Sequence, residues 1–261
     1  MDNIKLYFKY IAINIKSELE YKATLIFNIL NQIVLFFTYY FVVIALFDRF
    51  KVLNQYTVYE ILFVFSICQL GFSINEVFSR GIDHFSKLII KGDLDRLLIR
   101  PRPLLLQALG SEIEITKIAK VIQALICLII ALIHLKIHYN LFKILGILFM
   151  IIGAVVLFLS ILILGASFCF VTIQGLEVVN VFTYGGRDMA QYPIDIYNKT
   201  FKVIFTYIIP FGLINYYPFL YIVGKSNTTS NIFLPLLTFI HLAFAIFIFN
   251  KSVNKYTSTG S

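Results

Sequence analysis

Apolar residues run in blocks too long to be the buried face of a soluble helix. Six stretches, at 24–47, 58–79, 118–137, 144–174, 201–223 and 232–250, each offer roughly the 20 mostly apolar residues that a helix needs to cross hydrocarbon. The fourth is longer than one straight crossing requires, which predicts tilt or continuation past the bilayer. The fifth is interrupted by Pro210 and Pro218, with Asn215-Tyr216-Tyr217 between them. Freed backbone groups at membrane depth need protein or water as partners, so this stretch predicts a short crossing followed by a re-entrant or interfacial piece. Ahead of the first block, Lys5, Lys9 and Lys16 alternate with Ile4, Leu6, Phe8, Ile11 and Ile15. Residues 1–23 therefore read as an amphipathic helix on the inner leaflet. Their spread lysines and the lack of a small-residue cleavage site do not fit a signal peptide.

Composition removes the main alternatives. The 261 residues are 59% hydrophobic and 14% charged, against about 45–50% apolar and about 25% charged in soluble domains. A soluble enzyme, a secreted disulfide scaffold and a disordered chain are excluded. The expected fold is an all-α integral membrane protein, one transmembrane domain over 1–261, with six spans. The formal charge of +8 speaks of orientation rather than nucleic acid. With the N-terminus inside, seventeen Lys and Arg fall in inner segments and five in outer ones, so the positive-inside rule predicts that both termini are cytoplasmic. The outer loops are short. The sizeable polar segment is the inner one, 80–117, where a soluble partner would be met.

Reactive chemistry is sparse. Cys68, Cys127 and Cys169 lie far apart inside apolar runs, as buried small residues do. Gly224-Lys225-Ser226 lacks the earlier glycine of a phosphate loop, since position 219 is Phe. His134 and His138 share a helix face, with no third metal ligand in sight. Gly165-Ala166-Ser167 lacks the second glycine and the histidine of an intramembrane serine protease. No metal site and no cofactor are expected in this chain. Asn28, Asn31 and Gln32 stand at i, i+3 and i+4, so they share one face of the first span. Such a face bonds a neighbouring helix or lines a substrate path, together with Tyr207, Asn215, Tyr216 and Tyr217. Glu60 and Glu76 sit near opposite ends of the second span, and nothing forms a proton relay.

The informative stretch is KGDLDRLLIRPRPLLLQ, residues 91–107. Gly92 can end one helix, and Asp93 can cap the next. Leu94, Leu97 and Leu98 then form an apolar stripe. Arg100 suits the helix C-terminus, and Pro101 and Pro103 stop the helix. A short rigid amphipathic helix between two spans is expected, either flat on the inner leaflet or docked into a soluble motor.

This stretch resembles the permease subunits of ABC-2 type transporters, in a branch of about this length with six spans. Gly92, Asp93, Asp95, Leu98, Arg100 and Pro101 match its glycine-aspartate-leucine-aspartate segment and arginine-proline pair. The run at 192–225 is also similar, with Tyr192-Pro193, Pro210, Tyr217-Pro218 and Gly224 in place, as is the tail NKYTSTGS. The resemblance implies a subunit without its own ATPase domain. It would pair with a second permease, the same or a related chain, and with soluble ABC ATPase subunits that hold ATP and magnesium. It also implies that the inner loop contacts the ATPase, that the broken segment forms re-entrant outer helices, and that the cargo is exported: a drug, a peptide or something lipid-like. The abundance of Ile, Lys, Asn and Phe has the look of a low-GC genome and points to a bacterium, so the expected location is a bacterial cytoplasmic membrane, where lipids are the remaining partners. A gradient-driven carrier would show broken helices at matching places in both halves, and only one is found. A non-transporting anchor or immunity protein stays open as an alternative. A membrane enzyme ranks last, for want of a convergent acid, base or metal cluster.

Overall fold

The structure is a computed structural model, and it describes residues 3–49, 55–172 and 180–256. Residues 173–174 of the fourth predicted stretch, Lys51 of the first outer loop, the first two residues of the N-terminal segment and the tail from 257 lie outside the described residues. Among the described residues every regular element is helical. An N-terminal helix α1 (Asn3–Glu20) leads into α2 (Lys22–Arg49) and α3 (Val58–Phe78). Four short helices follow: α4 (Arg80–Asp83), α5 (Phe85–Ile90), α6 (Asp93–Leu98) and α7 (Leu104–Ser111). Then come α8 (Ile118–His134), entered through a 3-10 turn, and α9 (Leu141–Cys169).

Four helical runs are long and apolar enough to cross a membrane: Val58–Phe78, Ile115–His134, Leu141–Cys169 and Thr229–Val253. The last is a 3-10 stretch, Thr229–Leu237, continued by an α-helix whose bounds are Thr238–Val253. The ends of these runs are chemically marked. At the start of α3 the Thr57 side chain accepts from the Glu60 amide, while Glu60 accepts from the Thr57 amide at 2.8 Å. At the start of α9 the Asn140 side chain accepts from the Lys143 amide. Each cap satisfies donors that a helix start leaves open.

Contacts fix the relative directions of these runs. Glycine lets helices approach closely. A side chain on Gly71 would collide with Ala154, and one on Gly153 with Pro235. Asn75 on α3 donates to the Val155 carbonyl on α9 at 2.9 Å. Along α9, Gly146 meets Ile232, Gly153 meets Pro235 and Ser160 meets His241, so α3, α9 and the final run point the same way. On the opposite course run α2 and α8. The Lys120–Glu76 pair and the Tyr59–His134 ring stack mark the two ends of the antiparallel α3·α8 contact.

A third stretch runs against α3, and it was not among the six expected. It comprises a π-helical turn, Val181–Gly185, then α10 (Gly186–Ala190) and a 3-10 turn, Ile194–Ile196. Tyr184 bonds Arg80 and Asp83 past the C-terminal end of α3. The Arg187 carbonyl accepts from Cys68 in its middle. Asp195 accepts from Tyr56 at its start, at 2.8 Å.

The run at 201–223 does not continue straight. Helix α11 (Lys199–Val203) passes into a π turn, Ile204–Ile208. A second π turn, Gly212–Tyr216, opens α12 (Tyr217–Ile222), and the two arms meet at 86°. The chain then returns to where it entered. Lys225 pairs with Glu60 at 2.7 Å and donates to the Gln55 carbonyl, beside the Tyr56–Asp195 bond. Phe219 packs on Tyr56 and Phe63. The predicted fifth crossing is therefore a bent hairpin with both feet at one end of α3. The break falls at Pro210, whose ring cannot continue the helix. The final helix, α13 (Thr238–Val253), closes the fold.

Candidate functional site

Two places carry chemistry beyond packing: the α4–α7 cluster and a cavity along α3. In the cluster, Gly92 takes a left-handed backbone (φ 71°) that turns α5 into α6, a conformation that glycine adopts without strain. Asp93 lies inside the first turn of α6 and pairs with Arg96 at 3.5 Å. It makes no side-chain cap, because Gly92 holds the cap position. The Leu94-Leu97-Leu98 stripe divides. Leu94 is 0% exposed, packed with Ile82, Phe85, Ile89 and Ala108. Leu97 is half-buried, and its carbonyl accepts from the buried Gln107 amide at 3.0 Å. Leu98 is exposed, and the next residue, Ile99, is 83% exposed. Arg100 and Pro101 are exposed too, and Asp95 is half-buried. The outward tip is therefore 98–101, one register beyond the predicted stripe.

Behind the tip lies a polar brace. Arg80 pairs with Asp83 and with Glu114, and it donates to the Tyr184 hydroxyl at 3.0 Å. Burial works against the charge on Arg80, but Asp83, Tyr184 and Glu114 outweigh it and raise its pKa. His84 meets Glu112 at 2.8 Å, and this hydrogen bond with its charge lowers the Glu112 pKa. Lys117 adds a second cation to Glu114. Gly81 donates to the Glu112 carbonyl, and a side chain there would strike Ala108 and Ser111. Helix α1 is tied to the same region: Tyr7 donates to the Phe78 carbonyl and Asn14 to the Gly110 carbonyl.

The cavity, about 100 Å³ and partly open, lies between α2, α3, α8 and α10. Its polar lining is Gln32, Gln69, Lys120, Gln123, Arg187 and Gln191, and its apolar lining is Leu35, Phe65 and Ala124. Both cations have acidic partners. Lys120 reaches both Glu76 oxygens at 2.8 Å, and Arg187 pairs with Asp188 at 2.6 Å. Gln123 donates to the Gln32 carbonyl, whereas the buried Gln32 side-chain oxygen has no protein partner.

The predicted substrate-path residues do not gather at one site, although Asn215 and Tyr216 line one small pocket together. Of the predicted set, Gln32 reaches this cavity. Asn28 and Asn31 are exposed on α2, and Asn28 lines a separate groove with Glu18 and Thr116. Tyr207 is 79% exposed on the hairpin. Asn215 is buried and donates to the Ala190 carbonyl, and Tyr216 stacks edge-on against Tyr217. The residues that sequence reading missed had a signal. Gln69 and Glu76 are seven apart, Lys120 and Gln123 three apart, and Arg187 and Gln191 four apart, each pair on one helical face. Among the described residues no group of three His, Cys, Asp or Glu could hold a metal, and the three cysteines are free and buried.

Four apolar helical runs long enough to cross a bilayer mark the chain as a membrane protein. Residues 33–260 match the family described as ABC-2 family transporter protein, and the chain belongs to that family. No curated protein and no solved structure matches it.

Proposed function

We propose that this chain is the permease subunit of an ATP-driven exporter in the bacterial cytoplasmic membrane, worked by a separate ABC ATPase that carries the ATP and magnesium. The observation that carries it is the route from the exposed 98–101 tip through the α4–α7 cluster to Arg80 and Tyr184. That route joins an outward surface to a membrane-depth segment by packing and ion pairs, as a force-transmitting element requires. In this reading the chain crosses six times, by α2, α3, α8, α9, 180–196 and 229–253, with 199–222 a re-entrant outer hairpin. Both termini are inside and α1 lies on the inner leaflet. Fourteen Lys and Arg then fall inside and seven outside, with Arg187 between them, so the positive-inside bias persists.

A second permease, identical or related, is expected against α2 and α10. Asn28, Asn31 and the 57% exposed Asp188 are costly to show to lipid and suit a protein neighbour or a shared aqueous path. The test is to purify the tagged chain in mild detergent, identify co-purifying proteins and assay ATPase activity. Leu98→Ala with Ile99→Ala should release the ATPase while leaving the fold intact. Leu94→Ala should instead destabilise the protein by about 2–5 kcal/mol, as emptied core sites do. A chain that purifies from its native host without any ATPase would refute the reading.

A further inference from the structure

The cavity differs from a surface groove in its depth and its charge balance. Gln69 lies at the middle of α3 (Val58–Phe78), about 15 Å from either end at 1.5 Å per residue. That is the midplane of a hydrocarbon layer about 30 Å thick. Lipid headgroups rest at the ends of such a helix, so hydrogen-bonding groups at this depth do not serve ordinary surrounding lipid. The volume of about 100 Å³ falls short of the roughly 300–1,000 Å³ of a site enclosing a drug-sized molecule. It accommodates a head and leaves a tail outside, against Leu35, Phe65 and the exposed apolar residues of α2 such as Val34.

The lining also selects by charge. Lys120 is neutralised by Glu76 and Arg187 by Asp188. A head with net charge would lose its hydration here without gaining a free counter-charge. What remains on offer is four glutamine amides, each with donors and an acceptor. One of those acceptors, the Gln32 oxygen, is unpaired within the fold. We propose that the cavity is a midway station for the uncharged head of an amphiphile, one presenting hydroxyl or amide groups, carried by the exporter. This rests on the permease reading above for the carriage, though not for the binding.

The test uses the full chain in phosphatidylcholine nanodiscs, without ATPase. The probes are photoactivatable decyl glucoside and decanoyl glycinamide, with decyl phosphate and decyl trimethylammonium as charged counterparts. At least one uncharged probe should label peptides bearing Gln32, Gln69, Gln123 or Gln191 about tenfold more than either charged probe. Whichever labels identifies hydroxyl or amide as the head chemistry. Gln69→Met with Gln123→Met should cut that labelling about tenfold, since each lost amide leaves a buried partner unpaired, while size-exclusion profile and labelling elsewhere stay unchanged. Glu76→Gln should give a gain: Lys120 loses its counter-charge, and decyl phosphate should now label the cavity. Equal labelling by charged and uncharged probes, or no labelling by either uncharged probe, overturns the proposal. So does a Glu76→Gln variant, folded by the same criterion, that leaves decyl phosphate excluded. If the cavity is labelled as expected but no ATPase accompanies the chain, the exporter reading falls and the binding site stands.

Discussion

Single residues here do their work mostly through one partner each, and that makes them separable. Lys120 and the nearly buried Glu76 neutralise each other. Lys120→Met strands a buried carboxylate and should cost about 3–5 kcal/mol. Adding Glu76→Gln should recover most of it, read as thermal unfolding in detergent. The His84–Glu112 bond gives a pH dependence of definite sign. A carboxyl whose pKa is lowered by folding adds stability that is complete above its unfolded value, about 4.3 for glutamate. That stability is lost as pH falls through the lowered value. The Gly81 amide, which donates to the Glu112 carbonyl, should therefore lose protection, taken relative to its intrinsic exchange rate at each pH, below about pH 4, and His84→Leu should narrow the difference. Leu94 and Gln32 show what was and was not legible at this scale. Apolar spacing identified α6 as amphipathic but could not say which leucine faces the core, because α5 and α7 pack on it from different sides. Gln32 stood out as polar within an apolar run, whereas Lys120 read as a loop charge because its acidic partner, Glu76, lies distant in sequence, and Arg187 did so because it stands beside Asp188 in a polar run.

Among the elements, the long uniform helices were the readable ones. α3, α8, α9 and the run Thr229–Val253 fall close to the predicted 58–79, 118–137, 144–174 and 232–250, since length and apolarity alone define them. The segment 180–196 escaped because Arg187, Asp188 and Gln191 interrupt its apolar content, and the Arg187–Asp188 pair that offsets the charge is formed within the segment itself. The hairpin was legible in part: Pro210 marked the break and a re-entrant piece was expected after a short crossing, but not that both arms turn back. Its composition suits a crossing, and only the bend at Pro210 and the ties of Asp195 and Lys225 to the start of α3 reveal a return. Close packing of α3 on α9 depends on Gly71, where any side chain meets Ala154. Gly71→Ala should destabilise by about 1–3 kcal/mol through overpacking. Ala154→Gly should restore part of this in the double variant, measured by the temperature at which monodisperse protein is lost.

For the molecule as a whole, the hairpin decides which side of the membrane two lysines see. With 199–222 on the outside, Lys199→Cys and Lys202→Cys should react with a membrane-impermeant maleimide added to intact cells, and Lys251→Cys should react only after permeabilisation. The three native thiols are buried, so the background should be low. Labelling of 199 and 202 only from inside would instead make 201–223 a true crossing.

Three π-helical turns, Val181–Gly185, Ile204–Ile208 and Gly212–Tyr216, occur within a short length of chain, although such turns make up well under 1% of residues in soluble proteins. Each is a helix holding one surplus residue. One surplus residue turns all that follows it on the helix by about 100°. Arg187 and Gln191, just beyond the first of these turns, therefore owe the direction in which they face, into the cavity, to a single extra residue upstream.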